Sequence, residues 1–426
     1  VEGGERYGAE RVVVALGTFP NGLMHIGEET YSGGREGEPP SCALSDDIFA
    51  RGIARGRLKT GTPARLRKGS IEFSRCRIQP GDEHPSPFSF GTERIDRPHV
   101  PCYITYTNER THEAIRSGLD RSPLFTGRIR GIGPRYCPSI EDKVVRFADK
   151  DRHQIFLEPE GLESDEIYVN GLSTSLPRDV QERMIHTVHG LEKAEIVRYG
   201  YAIEYDFFPP HQIYPSLESR IVGGLYFAGQ VNGTSGYEEA AAQGILAGMN
   251  AARSIGGEDP IVLGRNEAYA GVLVDDLVTK EIDEPYRMFT SRAEHRLLLR
   301  QDNADERLLA YAVRCGLQPR SRWERMIERR KRVHRAHMRL LAAAIPADES
   351  NAILETAGER GVAEPQRAVR LLQRPGVRVG PVEAALPGGP LGLEERERDS
   401  LEIKVKYDGY IRRERRTAER LSLIHI

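Results

Sequence analysis

Residues 224–244, GLYFAGQVNGTSGYEEAAAQG, run from an apolar strand pattern through a glycine-rich break into an alanine-rich helix. Such a turn places successive backbone N–H groups and the positive end of a helix dipole at the carboxyl edge of a sheet. Gly229, Gly233 and Gly236 allow close backbone approach, while Gln230 and Asn232 offer side-chain amides to a polar ring edge. The pattern suits a pyrophosphate or a flavin ring. It equally suits an ordinary strand-to-helix turn that needs positive φ, so the choice rests on what stands around it.

Upstream, RVVVALGTF (residues 11–19) has the continuous β-branched run of a strand buried on both faces, as in a parallel sheet, and it stops at Gly17 and Thr18. The glycine- and proline-rich stretch that follows ends at Ser41, an N-cap candidate behind two prolines. Ser41 is either a plain helix cap or one wall of an anion site at the helix start. From about Gly56 to Leu217 short strands alternate with loops, VPCYITYT and HQIFLEPEG among them, which reads as a separate lobe. Helical periodicity dominates beyond Ile261, and RWERMIERRKRVHRAHMRLLAAA carries an apolar stripe from Trp323 through Met326, Ile327 and Val333.

Composition narrows the function classes. A chain of 426 residues exceeds one ordinary core; 39% hydrophobic and 29% charged residues describe a globular protein, and no run of eighteen apolar residues exists to span a bilayer. The expectation is a protein without a membrane segment. Five cysteines, an odd number with no CxxC pair, argue for a reducing, cytoplasmic setting and against a disulfide or zinc framework. The absence of HExxH, Walker and Gly-x-Ser-x-Gly patterns sets aside a metal site, a GTPase and a serine hydrolase. A formal net charge of -2 hides an uneven distribution, since Arg287 to Arg339 holds fifteen Arg or Lys against six Asp or Glu.

The two glycine-bearing strands are similar to the paired segments of flavoproteins with two dinucleotide-binding domains, where one strand ends in Gly-Thr, a domain is inserted, and a strand-Gly-helix completes the flavin site. The opening GxGxxG fingerprint is not in the chain. Longer motifs sharpen the likeness. GRLKTGTPAR, PCYITYTNERTHEAIRS, GPRYCPSIEDKVVRFADK, GYAIEYDFF, GYEEAAAQG and EPYRMFTSRAEHRLLLRQDNAD resemble the block motifs of the MnmG/GidA family of FAD-dependent tRNA wobble-uridine modification enzymes.

That resemblance implies an α/β fold: an FAD/NAD(P)-binding Rossmann-like domain of the glutathione-reductase type with a large inserted α+β lobe, followed by an α-helical C-terminal domain. Expected boundaries are 1–20 for a remnant of the FAD domain, 21–218 for the insertion with an NAD or active-site loop, 219–256 for the second part of the FAD domain and 257–420 for a truncated helical domain. Residues 421–426, LSLIHI, reverse-translate to a transposase-adapter sequence and are expected to be an artefact. The resemblance further implies carbon transfer from methylenetetrahydrofolate to C5 of the wobble uridine through FAD. Glycine or ammonium supplies the amine, NADH reduces the flavin, the GTPase MnmE is the partner, and the enzyme is a homodimer. FAD contacts are expected at Gly17, Thr18, Ser41, Gly229, Gln230, Asn232, Gly233, Gly236, Tyr237 and Glu238. The alternatives are a folate- and FAD-dependent tRNA uridine-C5 methyltransferase, or a non-catalytic fragment that binds tRNA or MnmE.

GPRYCPSIEDKVVRF (133–147) is the candidate chemical centre. Arg135 can hold a phosphate, and Cys137 beside Arg135 or Lys143 can become a thiolate that attacks C6 of a uracil. The bland alternative for Cys137 is a small buried hydrophobe. The resemblance puts nicotinamide-dinucleotide contacts on the same loop, at Gly133, Pro134, Tyr136, Pro138, Ser139, Ile140, Glu141, Asp142 and Phe147, and the two roles compete. Cys102 reads as core packing. For tRNA backbone the candidates are Arg57 and Lys59, with Arg287 and the series Arg292, Arg296 and Arg300 spaced to line one helical face. A charge run of this kind is otherwise a solvated face.

Overall fold

A computed structural model describes residues 4–134, 138–282 and 284–424, with side chains to residue 420. Two compact units emerge: residues 1–260 with 273–288, and residues 261–272 with 289–426.

Among its described residues the first unit is built on three sheets. Strands β1 (Val12–Val14) and β12 (Leu225–Phe227) pair in parallel, Val12 opposite Leu225 and Val14 opposite Phe227. The expectation that β1 is buried on both faces is corrected: Val14 is buried, but Val12 and Val13 are 47% and 39% exposed. Among the described residues β12 is its only sheet neighbour.

A four-stranded sheet follows the order β3-β2-β11-β4, from β2 (Leu23–Ile26), β3 (Glu29–Ser32), β4 (Gly56–Thr62) and β11 (Tyr201–Phe207). A six-stranded sheet follows β10-β5-β9-β8-β7-β6, with β5 (Arg65–Arg67), β6 (Arg77–Gln79), β7 (Cys102–Tyr106), β8 (Gln154–Pro159), β9 (Glu166–Asn170) and β10 (Ile196–Arg198). All hydrogen-bonded pairs within these two larger sheets are antiparallel. Alternation along β8 and β9 buries Ile155, Leu157, Ile167 and Val169. Helices α2 (Glu109–Arg116), α3 (Ile140–Arg146) and α4 (Arg178–His186) contribute Ile115, Ile140, Val144, Val180 and Met184 to the same core. Burying such side chains supplies about 1.5–3 kcal/mol each before entropy is counted.

Helix α1 (Cys42–Ala50) precedes β4, and α5 (Tyr237–Ile255) follows β12. Helix α6 (Tyr269–Thr279) leads into the second unit's helices: α7 (Ala304–Arg314), α8 (Arg320–Ala342), α9 (Ala347–Thr356), α10 (Ala368–Leu372), α11 (Val379–Ala384) and α12 (Glu395–Ile424). On α8 the expected apolar stripe buries Met326 and Val333, extended by Ala336 and Leu340. Val333 and Leu340 share a core with Leu354, Leu372, Val382, Leu401 and Val405 from the helices that follow. No helix among the described residues is long and apolar enough to cross a membrane.

Candidate functional site

The quoted segment folds as strand, short 3-10 turn (Gly229–Asn232) and helix. Gly229 and Gly233 adopt φ of +83° and +78°, the left-handed region that glycine enters without a Cβ clash. Gly236 has an ordinary φ of -128° and is small for a different reason: a Cβ there would lie 1.6 Å from Glu239 Oε2.

Gln243, which sequence reasoning missed, organises this turn from the buried face of α5. Its Oε1 accepts from the Gly229 N–H at 3.1 Å and Asn232 Nδ2 at 2.9 Å, while Nε2 donates to Thr234 Oγ1 and the Glu239 carbonyl, each at 3.1 Å. A glutamine on an otherwise alanine-rich helix face was the available signal. Asn232 is therefore corrected: it is fully buried, donates also to the Phe227 carbonyl, and holds the turn rather than presenting its amide outward. Gln230 is half-buried and stays at the surface of the turn.

Gly17, at the end of β1, takes φ +60°, and a Cβ on it would stand 3.6 Å from Gln230 Oε1. The two glycine-bearing strand ends thus meet side by side, joined by the Ala228 N–H to Val14 carbonyl bond at 2.9 Å. Thr18 Oγ1 turns instead to the Gly34 carbonyl at 2.7 Å. Ser41 occupies the N-cap of α1, half-buried, with no side-chain cap bond. Tyr237 (91% exposed) and Glu238 open the first turn of α5, which no side chain caps.

Strand β11 links this turn to the second candidate segment. At its carboxyl end the Phe208 N–H donates to the Val231 carbonyl at 2.7 Å. Four residues back, about 13 Å along the strand, Glu204 Oε1 accepts from the N–H groups of Arg130 and Gly131 at 2.8 and 2.7 Å. Its Oε2 lies 2.9 Å from His25 Nε2. Burial pushes the Glu204 carboxyl up, but the Gly131 and Arg130 donors and His25 outweigh it and leave it below the usual range. Burial likewise lowers the His25 pKa against the opposing pull of Glu204. The Lys59 N–H donates to the Ile132 carbonyl at 3.0 Å, and a Cβ on Gly133 would meet Lys59 Cε at 2.6 Å, so residues 130–133 are laid down on β4.

Pro134 ends that run; Arg135, Tyr136 and Cys137 lie outside the described residues. Past Pro138, Ser139 caps α3, its Oγ accepting from the Asp142 N–H at 3.3 Å. Ile140 and Glu141 are fully buried, Ile140 in the hydrophobic core and Glu141 bonded through Oε1 to Ser175 N and Oγ at 2.9 and 3.0 Å. Neither side chain is open to a dinucleotide, which corrects those two expectations; the helix that sequence reading treated as a contact loop turns its first residues inward. Asp142 is half-buried, Lys143 Nζ donates to the Gly171 carbonyl at 3.3 Å, and Phe147 is exposed at the end of α3.

The phosphate reading of Arg57 is also corrected. Its Nη1 donates to Asp206 Oδ1 at 2.9 Å and to the Asn21 carbonyl at 2.7 Å, while Asp206 Oδ2 accepts from Asn21 Nδ2 and Ser45 Oγ. Arg57 neutralises a buried carboxylate. The helical face expected for Arg292, Arg296 and Arg300 does not form: Thr290–Arg292 is a 3-10 turn and no helix covers 293–300. Arg265 donates to the Arg292 carbonyl at 3.1 Å and pairs with Glu294 at 2.7 Å, replacing helical bonds with side-chain ones. Arg296 is exposed, Arg300 binds Asp302 at 2.9 Å, and Arg287 donates to the Ser235 carbonyl at 3.2 Å. Cys102 is half-buried on β7 and Cys42 exposed.

With this geometry, the family model for "Glucose inhibited division protein A" matches residues 1–259, and that for "tRNA modifying enzyme MnmG/GidA C-terminal helical domain" matches residues 320–415. The chain belongs to the GidA family. It is 53% identical over 418 residues to the tRNA uridine 5-carboxymethylaminomethyl modification enzyme MnmG of Geobacter sulfurreducens, covering 96% of this chain and 66% of that protein. The MnmG of Thermodesulfovibrio yellowstonii is also 53% identical, with 97% and 66% covered. A crystal structure of Aquifex aeolicus GidA superposes with a TM-score of 0.85 at 43% identity, covering 97% of this chain and 65% of that one. The α/β fold with a C-terminal helical domain is that of GidA. The chain spans about two thirds of the length of the GidA relatives it matches.

Proposed function

We propose that this chain belongs to an FAD-dependent enzyme that builds the carboxymethylaminomethyl or aminomethyl group on C5 of the tRNA wobble uridine. In this reading methylenetetrahydrofolate supplies the carbon, glycine or ammonium the amine and NADH the electrons, with the GTPase MnmE as partner and a homodimer in the cytoplasm. The observation that carries it is the meeting of Gly17 with Gln230 at the ends of two parallel strands, a bare backbone edge with one side-chain amide beside it. FAD supplies the redox and carbon-carrier chemistry when bound; the chain's residues orient it and exclude water.

The start of α5 fits a neutral polar ring edge better than a pyrophosphate. Glu239 is 97% buried against Gly236 and its Oε2 has no hydrogen-bond partner, so a carboxylate already occupies the positive helix end. Its Oε1 accepts from the Met288 N–H at 2.7 Å and lies 3.8 Å from Arg287 Nε, so the helix end already has its anion and that anion its cation. This supports Gly229, Gln230 and Gly233 as flavin-ring contacts, with the phosphates held elsewhere.

The test is expression of the encoding gene in cells that lack MnmG, followed by mass spectrometry of tRNA nucleosides. Restored 5-carboxymethylaminomethyluridine supports the reading, ribothymidine formation alone would transfer it to the methyltransferase class, and the Cys137→Ser variant reports whether that thiol takes part.

A further inference from the structure

Tyr205 of β11 is 0% exposed and packs in an apolar cluster with Leu58 of β4 and Phe207. Phenylalanine would fill that space with the same ring. The hydroxyl is therefore an extra polar group carried into the interior, and a buried tyrosine hydroxyl ordinarily finds a partner. Here it meets none in hydrogen-bond geometry among the described residues.

Tyr205 and Phe207 point to one face of β11. A Cβ on Gly233 would stand 3.3 Å from the Phe207 ring, so this face lies against the glycine turn. Burial holds the Tyr205 phenol well above its ordinary pKa, and the side chain that works against that pull is Gln230. Gln230 is half-buried, with Oε1 toward the neighbouring strand end, 3.6 Å from where Gly17 would carry a Cβ. One amide thus stands between a buried phenol and the bare backbone edge.

An amide has unlike ends, and a hydroxyl behind it decides which end faces outward. With Oε1 turned to the strand end, the Tyr205 proton has no acceptor. Rotation of the same amide about its Cγ–Cδ bond brings Oε1 onto the Tyr205 O–H and leaves Nε2 at the strand end as a donor. The two bonds in series then polarise each other. A flavin's polar edge carries carbonyl oxygens and bare nitrogens around a single N–H, so a donor suits it better than an acceptor.

We propose that Tyr205 is a positioning residue for the flavin ring: its O–H donates to Gln230 Oε1 in the bound state and so commits Gln230 Nε2 to an acceptor on the ring. The inference rests on the flavin reading of the turn given above. It explains why the interior keeps a hydroxyl that the empty protein leaves unpaired.

The test titrates FAD into the whole chain as wild type, Tyr205→Phe, Gln230→Leu and the double variant. Flavin fluorescence and absorbance follow binding, and thermal melts are taken on the FAD-free proteins. Tyr205→Phe is expected to weaken FAD about tenfold, the loss of one hydrogen bond, and to shift the flavin absorbance band. The melting temperature of the empty protein is expected to stay level or rise, where a hydroxyl that merely held the fold together would lower it. In the Gln230→Leu background Tyr205→Phe is expected to change nothing further, because its effect passes through the amide. Wild-type affinity in Tyr205→Phe, losses that multiply in the double variant, or a melt several degrees lower in Tyr205→Phe would each overturn the positioning role and leave the flavin reading standing. A wild type that binds no FAD would count against both.

Discussion

His25 Nε2 lies 2.9 Å from Glu204 Oε2 in the interior of the four-stranded sheet, both residues at least 96% buried. Because Glu204's other oxygen holds the Arg130 and Gly131 N–H groups, a buried carboxylate hydrogen-bonded to a neutral imidazole becomes the anchor of residues 130–133. Histidine supplies the donor that lets the carboxylate stay charged without water. His25 Nδ1 has no partner, so the neutral ring is the form this site accommodates.

Replacing Glu204 separates anchoring from packing. Glu204→Ala strands two buried N–H donors and the histidine, at a cost of about 1–3 kcal/mol for each group left unsatisfied. Glu204→Gln keeps one carbonyl oxygen for the backbone donors and is expected to lose less than half as much. Urea unfolding of the two variants checks the order; equal losses would mean that the charge, not the anchoring, matters.

Acid is expected to destabilise the first unit in two stages. His25, His112 and His153 all have pKa values lowered from 6.5 chiefly by burial, so the unfolded chain takes up these protons first as pH falls. Their contribution is complete above pH 6.5 and is lost progressively below it. Glu204, lowered from 4.5, adds a second loss as pH falls below that value toward its folded pKa. The urea midpoint is expected to fall between pH 7.5 and 5.5 and again below 4.5; a midpoint that rises on acidification contradicts the assignment.

The strand-glycine-helix unit was legible because Gly229 and Gly233 mark positive φ directly and the alanine run marks α5. Long-range partners were not. Asn232 advertises an amide, yet only the fold reveals Gln243 eleven residues away to claim it, and Arg57 looks like a phosphate ligand until Asp206, from a strand 149 residues on, is seen beside it. Spacing of four promised a helix for Arg292, Arg296 and Arg300, but Arg265 and the buried side chains of Ala293, His295 and Leu299 hold that stretch as turns.

Gln243 is expected to matter more than either glutamine or asparagine nearer the ligand edge. Gln243→Leu preserves volume but strands the Gly229 N–H and leaves Asn232 Nδ2 with only the Phe227 carbonyl, with an expected cost of about 1–3 kcal/mol. Gln230→Ala, at a half-buried site, is expected to cost under about 1 kcal/mol. Thermal melts compare the two. If FAD binds as proposed, Gln230→Ala changes the flavin absorbance spectrum while Gln243→Leu lowers the amount of flavin retained.

In the helical unit, Arg332 of α8 reaches Glu397 of α12 with Nε at 2.9 Å and Nη2 at 2.6 Å on one carboxylate oxygen, while the other accepts the Glu394 N–H at 3.0 Å. Glu397 is 99% buried and Arg332 about two-fifths exposed, so the pair is asymmetric: removing the arginine leaves a carboxylate in the interior, whereas removing the glutamate releases a guanidinium to water. Losing one partner of a buried pair typically costs about 3–5 kcal/mol, and exposure of the arginine places this one at the low end. Arg332→Ala is therefore expected to cost about 3 kcal/mol and Glu397→Gln less, since glutamine keeps an acceptor for Arg332 and takes no charge into the core. Unfolding followed at the single tryptophan, Trp323 on α8, reads the effect on this unit directly. A melt unchanged from wild type would show that α8 and α12 are joined by their apolar core alone.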